Sequence, residues 1–247
     1  METHSLLSIP HKSGGLPVYM DCPPGKSARA GLILIHEVWG LTDHIKDVAD
    51  RLCEAGYEVV APDLMAGTEV EKVARADLAQ ALFDPAHHAD KQVELRALFT
   101  PLQSPDFTAA VVDKLQSCFS YLIEKKSTGV GVVGFCFGGT YSFNLAISQP
   151  GLACAVPYYG HCEHSDSDIA KINCPVLAFY GDQDSSLTDK LPALEAQMQK
   201  AGKDFRSKVY PGARHAFFND TNPITYNQAA AQDSWQLTLD FLSKHLH

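Results

Sequence analysis

Hydrophobic and polar positions along the chain follow two recurring patterns. Short runs of apolar, often β-branched residues predict strands, and they occur in the stretches AGLILIHEVWG, YEVVAPDL, GVGVVGF, LACAVPYYG, CPVLAFYGD and DFRSKVYPG. An earlier stretch, SLLSIPHKSGGLPVYMD, predicts two strands joined by a Gly-Gly turn. Strand-like runs therefore recur through most of the chain.

Segments with helical spacing separate these strands. In TDHIKDVADRLCEAG the apolar residues share one face, Thr42 or Asp43 can cap the helix, and Gly56 ends it. Further helices are predicted over about 107–126, in TYSFNLAIS and from about Tyr226 to the end. Strands that alternate with helices in this way predict βαβ units and a mostly parallel sheet.

The predicted strands are apolar at nearly every position, which is typical of a sheet covered by helices on both faces. We therefore predict an α/β fold, and the length suits a single domain over residues 1–247. Ligands of such sheets bind beyond the carboxyl ends of the strands. The residues at those ends are the candidates for chemistry, and they are His36, Glu37, Val38, Trp39, Cys136, His161, Asp182, Asp184 and His215.

The segment GFCFG, residues 134–138, lies where a predicted strand meets a predicted helix. It matches the G-x-S-x-G pattern of the nucleophile elbow, with Cys136 in place of serine. Such a turn is strained, and bulky residues two positions before or after the nucleophile would clash with neighbouring backbone. The turn also places the thiol at a helix N-terminus, which favours the thiolate. The alternative is that Cys136 is one more buried thiol among the seven cysteines.

A cysteine nucleophile needs a base, and the base needs an acid that orients it. In folds with this elbow the chain order is nucleophile, acid, histidine. GDQD ends one predicted strand and GARHAFF follows the next, so we predict a triad of Cys136, Asp184 and His215. Asp182 is the alternative acid, although we expect it to bond backbone N–H groups of the turn. The alternative for His215 is an ordinary surface histidine.

Two further features are expected beside the thiol. Backbone N–H groups of Phe137 and Val38 are predicted to form an oxyanion hole, since one follows the nucleophile and the other follows the early strand. Glu37 ends that early strand and is expected near Cys136. The alternative for Glu37 is a solvent-facing glutamate at a strand end.

Together, the motifs HEVWG, GFCFGG, GDQD and GARHAFF resemble the dienelactone hydrolase (carboxymethylenebutenolidase-like) family of α/β-hydrolases, in family order and across nearly the whole chain. The resemblance implies the α/β-hydrolase fold and cleavage of an ester or lactone through a covalent acyl-enzyme on Cys136, with no cofactor and no metal. It also implies that Glu37 holds the resting thiol neutral and takes part in its activation when substrate binds. That would protect the thiol from oxidation.

One position departs from the family pattern. Members that cleave dienelactone carry an arginine four residues past the catalytic histidine, where it pairs the substrate carboxylate, and this chain has Asn219 there. Residues 66–107, predicted to be helical and irregular, are expected to border the pocket and contain Arg75 and Arg96. Other predicted pocket residues are Trp39, Tyr159 and Asn219. The resemblance therefore implies the reaction type, an ester, lactone or thioester cleavage, more firmly than the substrate.

Composition argues against several classes of partner and site. The formal net charge of −9 argues against nucleic acid and anionic membranes as partners. We find no apolar run of about 18 residues and no signal-peptide pattern, so a cytoplasmic monomer or homodimer acting on a small molecule is expected. An odd number of cysteines without a CxxC pair argues against a disulfide framework and a structural zinc site.

Two alternative functions stay open at this point. One is a thioesterase, a peptidase or another carboxylesterase on the same fold. The other is a non-catalytic redox-sensing or binding protein that retains the fold, which the many thiols and the missing arginine would suit.

Overall fold

The computed structural model describes residues 5–12, 14–21, 30–72, 98–125 and 127–246. The strands within these ranges are β1 Ser5–His11, β2 Gly14–Asp21, β3 Gly31–Ile35, β4 Glu58–Pro62, β5 Val130–Phe135, β6 Cys154–Tyr158, β7 Val176–Gly181 and β8 Phe205–Tyr210. The helices are α1 Asp43–Glu54, α2 Glu69–Lys72, α3 Pro105–Glu124, α4 Phe137–Ser148, α5 Asp166–Ile169, α6 Ser185–Thr188, α7 Leu191–Lys200 and α8 Gln228–His245, with a 3₁₀ turn at Thr100–Gln103.

The strands form one sheet in the order β1-β2-β4-β3-β5-β6-β7-β8. Pairs from β4 to β8 are parallel, while β2 runs antiparallel to both β1 and β4. Every residue of β3, β5 and β6 is buried, because helices cover both faces of the central sheet. The predicted α/β class with a mostly parallel sheet is confirmed.

The first hairpin differs from the prediction in the position of its turn. His11 pairs with Gly14, so the two strands meet between these residues, and both glycines belong to β2. Gly14 has φ +115°, a backbone conformation that glycine adopts without strain at the end of a tight turn. The predicted Gly-Gly turn is therefore wrong by two positions.

Helix α1 shows how local sequence sets the element boundaries. The hydroxyl of Thr42, rather than Asp43, accepts from the N–H of Ile45 and caps the helix. Gly56, at φ +102°, lies just past the last turn. The apolar residues of α1 are buried against β2 and β4, and the helix fixes the position of the loop that precedes it.

The strand order brings the carboxyl ends of five neighbouring parallel strands to one edge of the sheet. In spatial order the candidate residues that follow β3, β5, β6, β7 and β8 are Glu37, Cys136, Tyr159, Asp184 and His215. Because adjacent strands lie about 5 Å apart, these residues can converge although they are distant in sequence.

Some predicted features lie outside the described residues. Of the stretch 66–107, the structure describes residues 66–72 and 98–107, so Arg75 and Arg96 fall outside. In the part of the chain that is described, no helix combines the length and hydropathy that crossing a bilayer requires.

Candidate active site

Cys136 lies at a sharp turn between β5 and α4, with φ 56° and ψ −110°. A Cβ added to Gly134 would overlap the backbone carbonyl of Gly138, and one added to Gly138 would overlap the carbonyl of Ile35. No side chain fits at either position, which is the steric requirement of a nucleophile elbow. The N–H of Cys136 donates to the carbonyl of Tyr158 at 3.0 Å, which anchors the turn to the neighbouring strand.

Backbone strain is concentrated around this turn. Within the described ranges, the non-glycine residues with positive φ are Cys136, Tyr159 at 38° and Ala216 at 60°. Each such conformation costs about 1–3 kcal/mol and persists only where the surrounding structure holds it in place. One is the candidate nucleophile, one follows β6 beside it, and one follows His215. Strain of this kind is typical of functional sites.

Asp184 and His215 form a hydrogen-bonded pair. Oδ2 of Asp184 lies 2.5 Å from Nδ1 of His215, and Oδ1 accepts from the hydroxyl of Ser186 at 2.7 Å. The Asp184 side chain is 7% exposed and the His215 side chain 32% exposed, so the acid is buried behind a base that reaches the surface. A carboxylate on Nδ1 leaves Nε2 free to act on a substrate or a nucleophile.

The charges of His215 and Asp184 stabilise each other. Burial opposes protonation of His215, but the charge of Cys136 and the hydrogen bond to Asp184 raise the pKa of His215 well above its usual range. Burial opposes ionisation of Asp184, yet the hydrogen bond and charge of His215 lower the pKa of that carboxyl. The Asp184 carboxylate can therefore stabilise a proton on His215.

Asp182, the alternative acid, is exposed and turned toward the loop. Its Oδ1 accepts from the backbone N–H of Gly212 at 2.8 Å and from the amide of Gln183 at 2.9 Å. This agrees with the expected turn-stabilising role. The carboxylate that accepts from Nδ1 of His215 is that of Asp184 instead.

Glu37 is buried, so the structure contradicts the alternative of a solvent-facing glutamate. Oε2 accepts from the amide of Asn219 at 2.8 Å, while Oε1 makes no hydrogen bond within the described residues. Burial raises the pKa of Glu37, and the charge of His44 and the Asn219 hydrogen bond work against that rise. Glu37 is thus a carboxyl group whose charge depends on a few specific neighbours.

The loop between β3 and α1 is fixed by His36, which is fully buried. Its Nε2 accepts from the N–H of Leu64 at 3.0 Å, so the ring proton lies on Nδ1 and is donated to the carbonyl of Glu37 at 2.5 Å. The N–H groups of Val38 and Phe137 donate no hydrogen bond within the described part of the chain. Both are thus available to a ligand oxygen.

The three predicted pocket residues occupy different environments. Trp39 is 8% exposed and makes an edge contact with Phe99, with ring centroids 5.7 Å apart. Tyr159 is fully buried, and its ring lies 5.1 Å from that of His215. Asn219 is engaged at both ends, since its amide donates to Glu37 and its oxygen accepts from Thr221.

The other described thiols are in apolar surroundings. Burial raises the pKa of Cys162 to about 12 and that of Cys174 to about 11, and it raises the pKa of Cys118 and Cys154 further. None of the six described cysteines forms a disulfide. In the same part of the chain, no three His, Cys, Asp or Glu side chains are grouped closely enough to bind a metal.

Comparison with known proteins decides the family. The model of the Dienelactone hydrolase family matches residues 16–246. The chain belongs to the dienelactone hydrolase family. A Saccharolobus solfataricus protein with a provisional carboxymethylenebutenolidase name is 30% identical, with 95% of this chain and 96% of the relative covered. "Protein usf" of Aquifex pyrophilus is 33% identical over 87% of this chain and 88% of its own.

Solved structures agree with this assignment. A crystal structure from Klebsiella pneumoniae subsp. pneumoniae, with a provisional dienelactone hydrolase name, has a TM-score of 0.80 and 26% identity, and 98% of each chain is covered. The resemblance inferred from the four motifs is thus confirmed. As a member of the dienelactone hydrolase family, the protein is a hydrolase that acts on ester or lactone bonds.

Sequence reasoning assigned no role to two residues of this site. His36 is among the predicted strand-end residues, but its function in fixing the loop depends on the N–H of Leu64, 28 positions away. His44 lies beside Ile45 on the buried side of α1. A histidine on an otherwise apolar helix face was the available signal for His44.

Proposed function

We propose that the protein hydrolyses an ester or lactone of a small molecule through a covalent acyl-enzyme on Cys136, with His215 as base and Asp184 as the orienting acid. The observation that carries this proposal is the Asp184–His215 hydrogen bond, which lies at the same edge of the sheet as a cysteine on a strained elbow turn. A buried structural thiol would need neither the turn nor the dyad.

In the acylation half, the sulfur of Cys136 attacks the carbonyl carbon, and the thiol proton passes to Nε2 of His215. The carbonyl oxygen becomes an oxyanion and accepts hydrogen bonds from the N–H groups of Val38 and Phe137. When the tetrahedral adduct collapses, the C–O bond breaks and the leaving oxygen takes the proton from His215. With a lactone, the new alcohol stays attached to the acyl group.

In the deacylation half, water attacks the thioester carbonyl and loses a proton to His215. A second oxyanion forms in the same position, the C–S bond breaks, and the proton returns to the sulfur. The products are a carboxylic acid and an alcohol, and Cys136 is restored. No redox step or external reactant other than water is needed.

Glu37 sets the protonation state of the Cys136 thiol in this mechanism. Burial raises the pKa of Tyr159, and the charges of Glu37 and Cys136 raise it further. Tyr159 is therefore close enough to both groups to be affected by their charges. We place Glu37 as the carboxylate whose charge keeps the resting thiol protonated until substrate arrives and the proton passes to His215. A neutral resting thiol would resist oxidation.

Asn219 affects which substrates the site would favour. Its amide donates to Glu37 and supplies no positive charge for a substrate carboxylate. We therefore expect neutral esters or lactones to be better substrates than dienelactone, which carries a carboxylate. Thioesters belong in the same comparison, because they would form the same acyl-Cys136 intermediate.

The test is a substrate panel assayed with matched cysteine variants. Short-chain aryl esters, neutral lactones, dienelactone and acyl thioesters are incubated with wild type, Cys136→Ala and Cys162→Ala. Cys162 is the control, since it is also a half-buried free thiol. We expect Cys136→Ala to lower kcat/KM by about a thousandfold or more and Cys162→Ala to leave it unchanged. Equal rates for wild type and Cys136→Ala would overturn the proposal.

A further inference from the structure

Asn219 lies in a short loop that runs from His215, the proposed base, to the last helix. The loop is closed where the N–H of Asn227 donates to the carbonyl of Phe217 at 2.9 Å, and the Phe217 side chain is fully buried. Inside the loop the N–H of Asn219 donates to the carbonyl of Ala216 at 3.1 Å. The backbone of Asn219 is therefore held in a fixed position relative to His215.

Both ends of the Asn219 side chain have partners that fix its orientation. Oδ1 accepts from the backbone N–H of Thr221 at 3.1 Å and from the Thr221 hydroxyl at 2.7 Å. A backbone N–H can only donate, so the amide oxygen faces Thr221 and the NH₂ group faces the other way. There it donates to Oε2 of Glu37 at 2.8 Å. The buried Glu37 is thus bound by an amide whose orientation makes it a donor.

The loop that carries Glu37 packs directly against the nucleophile elbow. A Cβ added to Gly138 would overlap the carbonyl of Ile35 and would lie 2.9 Å from the carbonyl oxygen of His36. The His36 ring also stacks on the ring of Phe137, with centroids 5.9 Å apart. Because Glu37 directly follows His36, its backbone is fixed relative to the elbow, and the amide hydrogen bond fixes its carboxylate as well.

We infer that Asn219, oriented by Thr221, is a positioning residue that holds Glu37 in place as a carboxylate beside the nucleophile elbow. This inference rests on the proposed function, because it concerns the carboxylate whose charge keeps the Cys136 thiol protonated. Asn219 acts through Glu37 rather than on the substrate.

The direction of this hydrogen bond decides which form of Glu37 it favours. A carboxylate accepts on both oxygens, whereas a carboxylic acid loses an acceptor position on the oxygen that carries the proton. A donor on Oε2 therefore favours the ionised form at a place where burial favours the neutral acid. The other groups that act on Glu37 are His44 from α1, His215 from the loop after β8 and Tyr159 from the end of β6. A substitution of Asn219 leaves all three in the protein.

Asn219 fills this role without a charge. In the family pattern an arginine at this position pairs the substrate carboxylate, whereas the amide offers an incoming anion no positive charge. We therefore expect Glu37 to keep its partner when substrate binds, while the thiol proton passes to His215. A substrate needs no carboxylate to engage such a site.

The test is a double-mutant cycle read out by the rate at which iodoacetamide alkylates Cys136 from about pH 5 to pH 9, mapped by mass spectrometry. The four proteins are wild type, Asn219→Leu, Glu37→Gln and the double variant. Leucine has about the size of asparagine and removes the donor. Asn222→Leu is the control, because Asn222 is a half-buried asparagine of the same loop whose Oδ1 accepts from the N–H of Ile224 at 3.1 Å. Unfolding temperatures establish that every variant is folded.

In Asn219→Leu we expect alkylation of Cys136 between about pH 5 and pH 7 to be about fivefold faster than in wild type, because a neutral Glu37 no longer disfavours the thiolate. In the Glu37→Gln background the same substitution should change nothing, since the group through which Asn219 acts is gone. Thr221→Val removes one of the two donors to Oδ1 and should give a smaller change in the same direction. The profile of Asn222→Leu should match wild type.

A folded Asn219→Leu whose profile superimposes on that of wild type would overturn the inference. An equal acceleration in the Glu37→Gln background would also overturn it, because it would indicate a general loosening of the loop. If Asn219→Leu does not fold, Thr221→Val decides by the same comparison in both backgrounds. If wild type cleaves no substrate of the panel, the proposed function fails while the alkylation cycle still tests Asn219. The two failures are therefore distinguishable.

Discussion

Oδ2 of Asp184 lies 2.5 Å from Nδ1 of His215, and these two residues, 31 positions apart, come from loops that follow neighbouring parallel strands. The backbone ties these loops together, because the N–H of Gln183 donates to the carbonyl of Ala213 at 2.9 Å. The pair is therefore preorganised by the sheet, and it stands at the edge where Cys136 ends its own strand.

Replacing the Asp184 carboxylate should leave the fold intact and prevent His215 from acting as a base. In Asp184→Asn the amide can no longer hold His215 with the proton on Nδ1, so we expect kcat to fall by about a thousandfold or more with little change in KM. Steady-state kinetics on an aryl ester measure this. Asp182→Asn is the matched control, since Asp182 caps a turn, and an equal loss in both variants would count against the assigned acid.

The elbow should not tolerate a single added methyl group. In Gly134→Ala the new Cβ would overlap the backbone of Gly138, so we expect destabilisation by about 3 kcal/mol or more, measured by urea unfolding. Gly129→Ala is the control on the same segment, because its Cβ would lie 3.5 Å from the nearest atom. Stability of Gly134→Ala within about 1 kcal/mol of wild type would contradict the described turn.

Glu37 should reduce stability at neutral and higher pH. Burial raises its pKa in the folded state above 4.5, so the free energy of unfolding falls as pH rises from about 4.5 through the folded-state value. Glu37→Gln removes this loss, and its amide can donate to Tyr159. We expect the variant to be more stable than wild type by about 1 kcal/mol at pH 8, with a smaller difference at pH 4.

Urea unfolding at both pH values checks this, with activity measured on the same samples. The gain in stability should come with a loss of turnover, which is the usual trade-off at a functional site. A wild-type protein whose stability advantage over Glu37→Gln increases with pH would contradict the assigned environment of Glu37.

Much of the fold and the elbow could be predicted because their signals are local. Continuous apolar runs identified the strands, and glycines two positions either side of Cys136 identified a turn that excludes side chains. The hairpin turn was misplaced because the strand register of His11 with Gly14, rather than the glycine pair itself, sets the reversal.

Other parts of the site could not be predicted, because they depend on contacts between distant segments. The hydrogen bond from Asn219 to Glu37 spans 182 positions, and that from His44 to Asp220 spans 176. Sequence indicated that an arginine was missing at position 219, but not that the asparagine would bind Glu37. A lone histidine on an apolar helix face gives no indication of its partner.

The central claim is a covalent acyl-enzyme on Cys136, and trapping it is the most direct test. Wild type, Cys136→Ala and Cys162→Ala are mixed with a short-chain aryl ester, quenched in acid within milliseconds to seconds, and examined by intact-mass and peptide mass spectrometry. We expect one acyl group on the Cys136 peptide of wild type and Cys162→Ala, and none in Cys136→Ala. An acyl group on another residue, or hydrolysis that persists undiminished in Cys136→Ala, would contradict it.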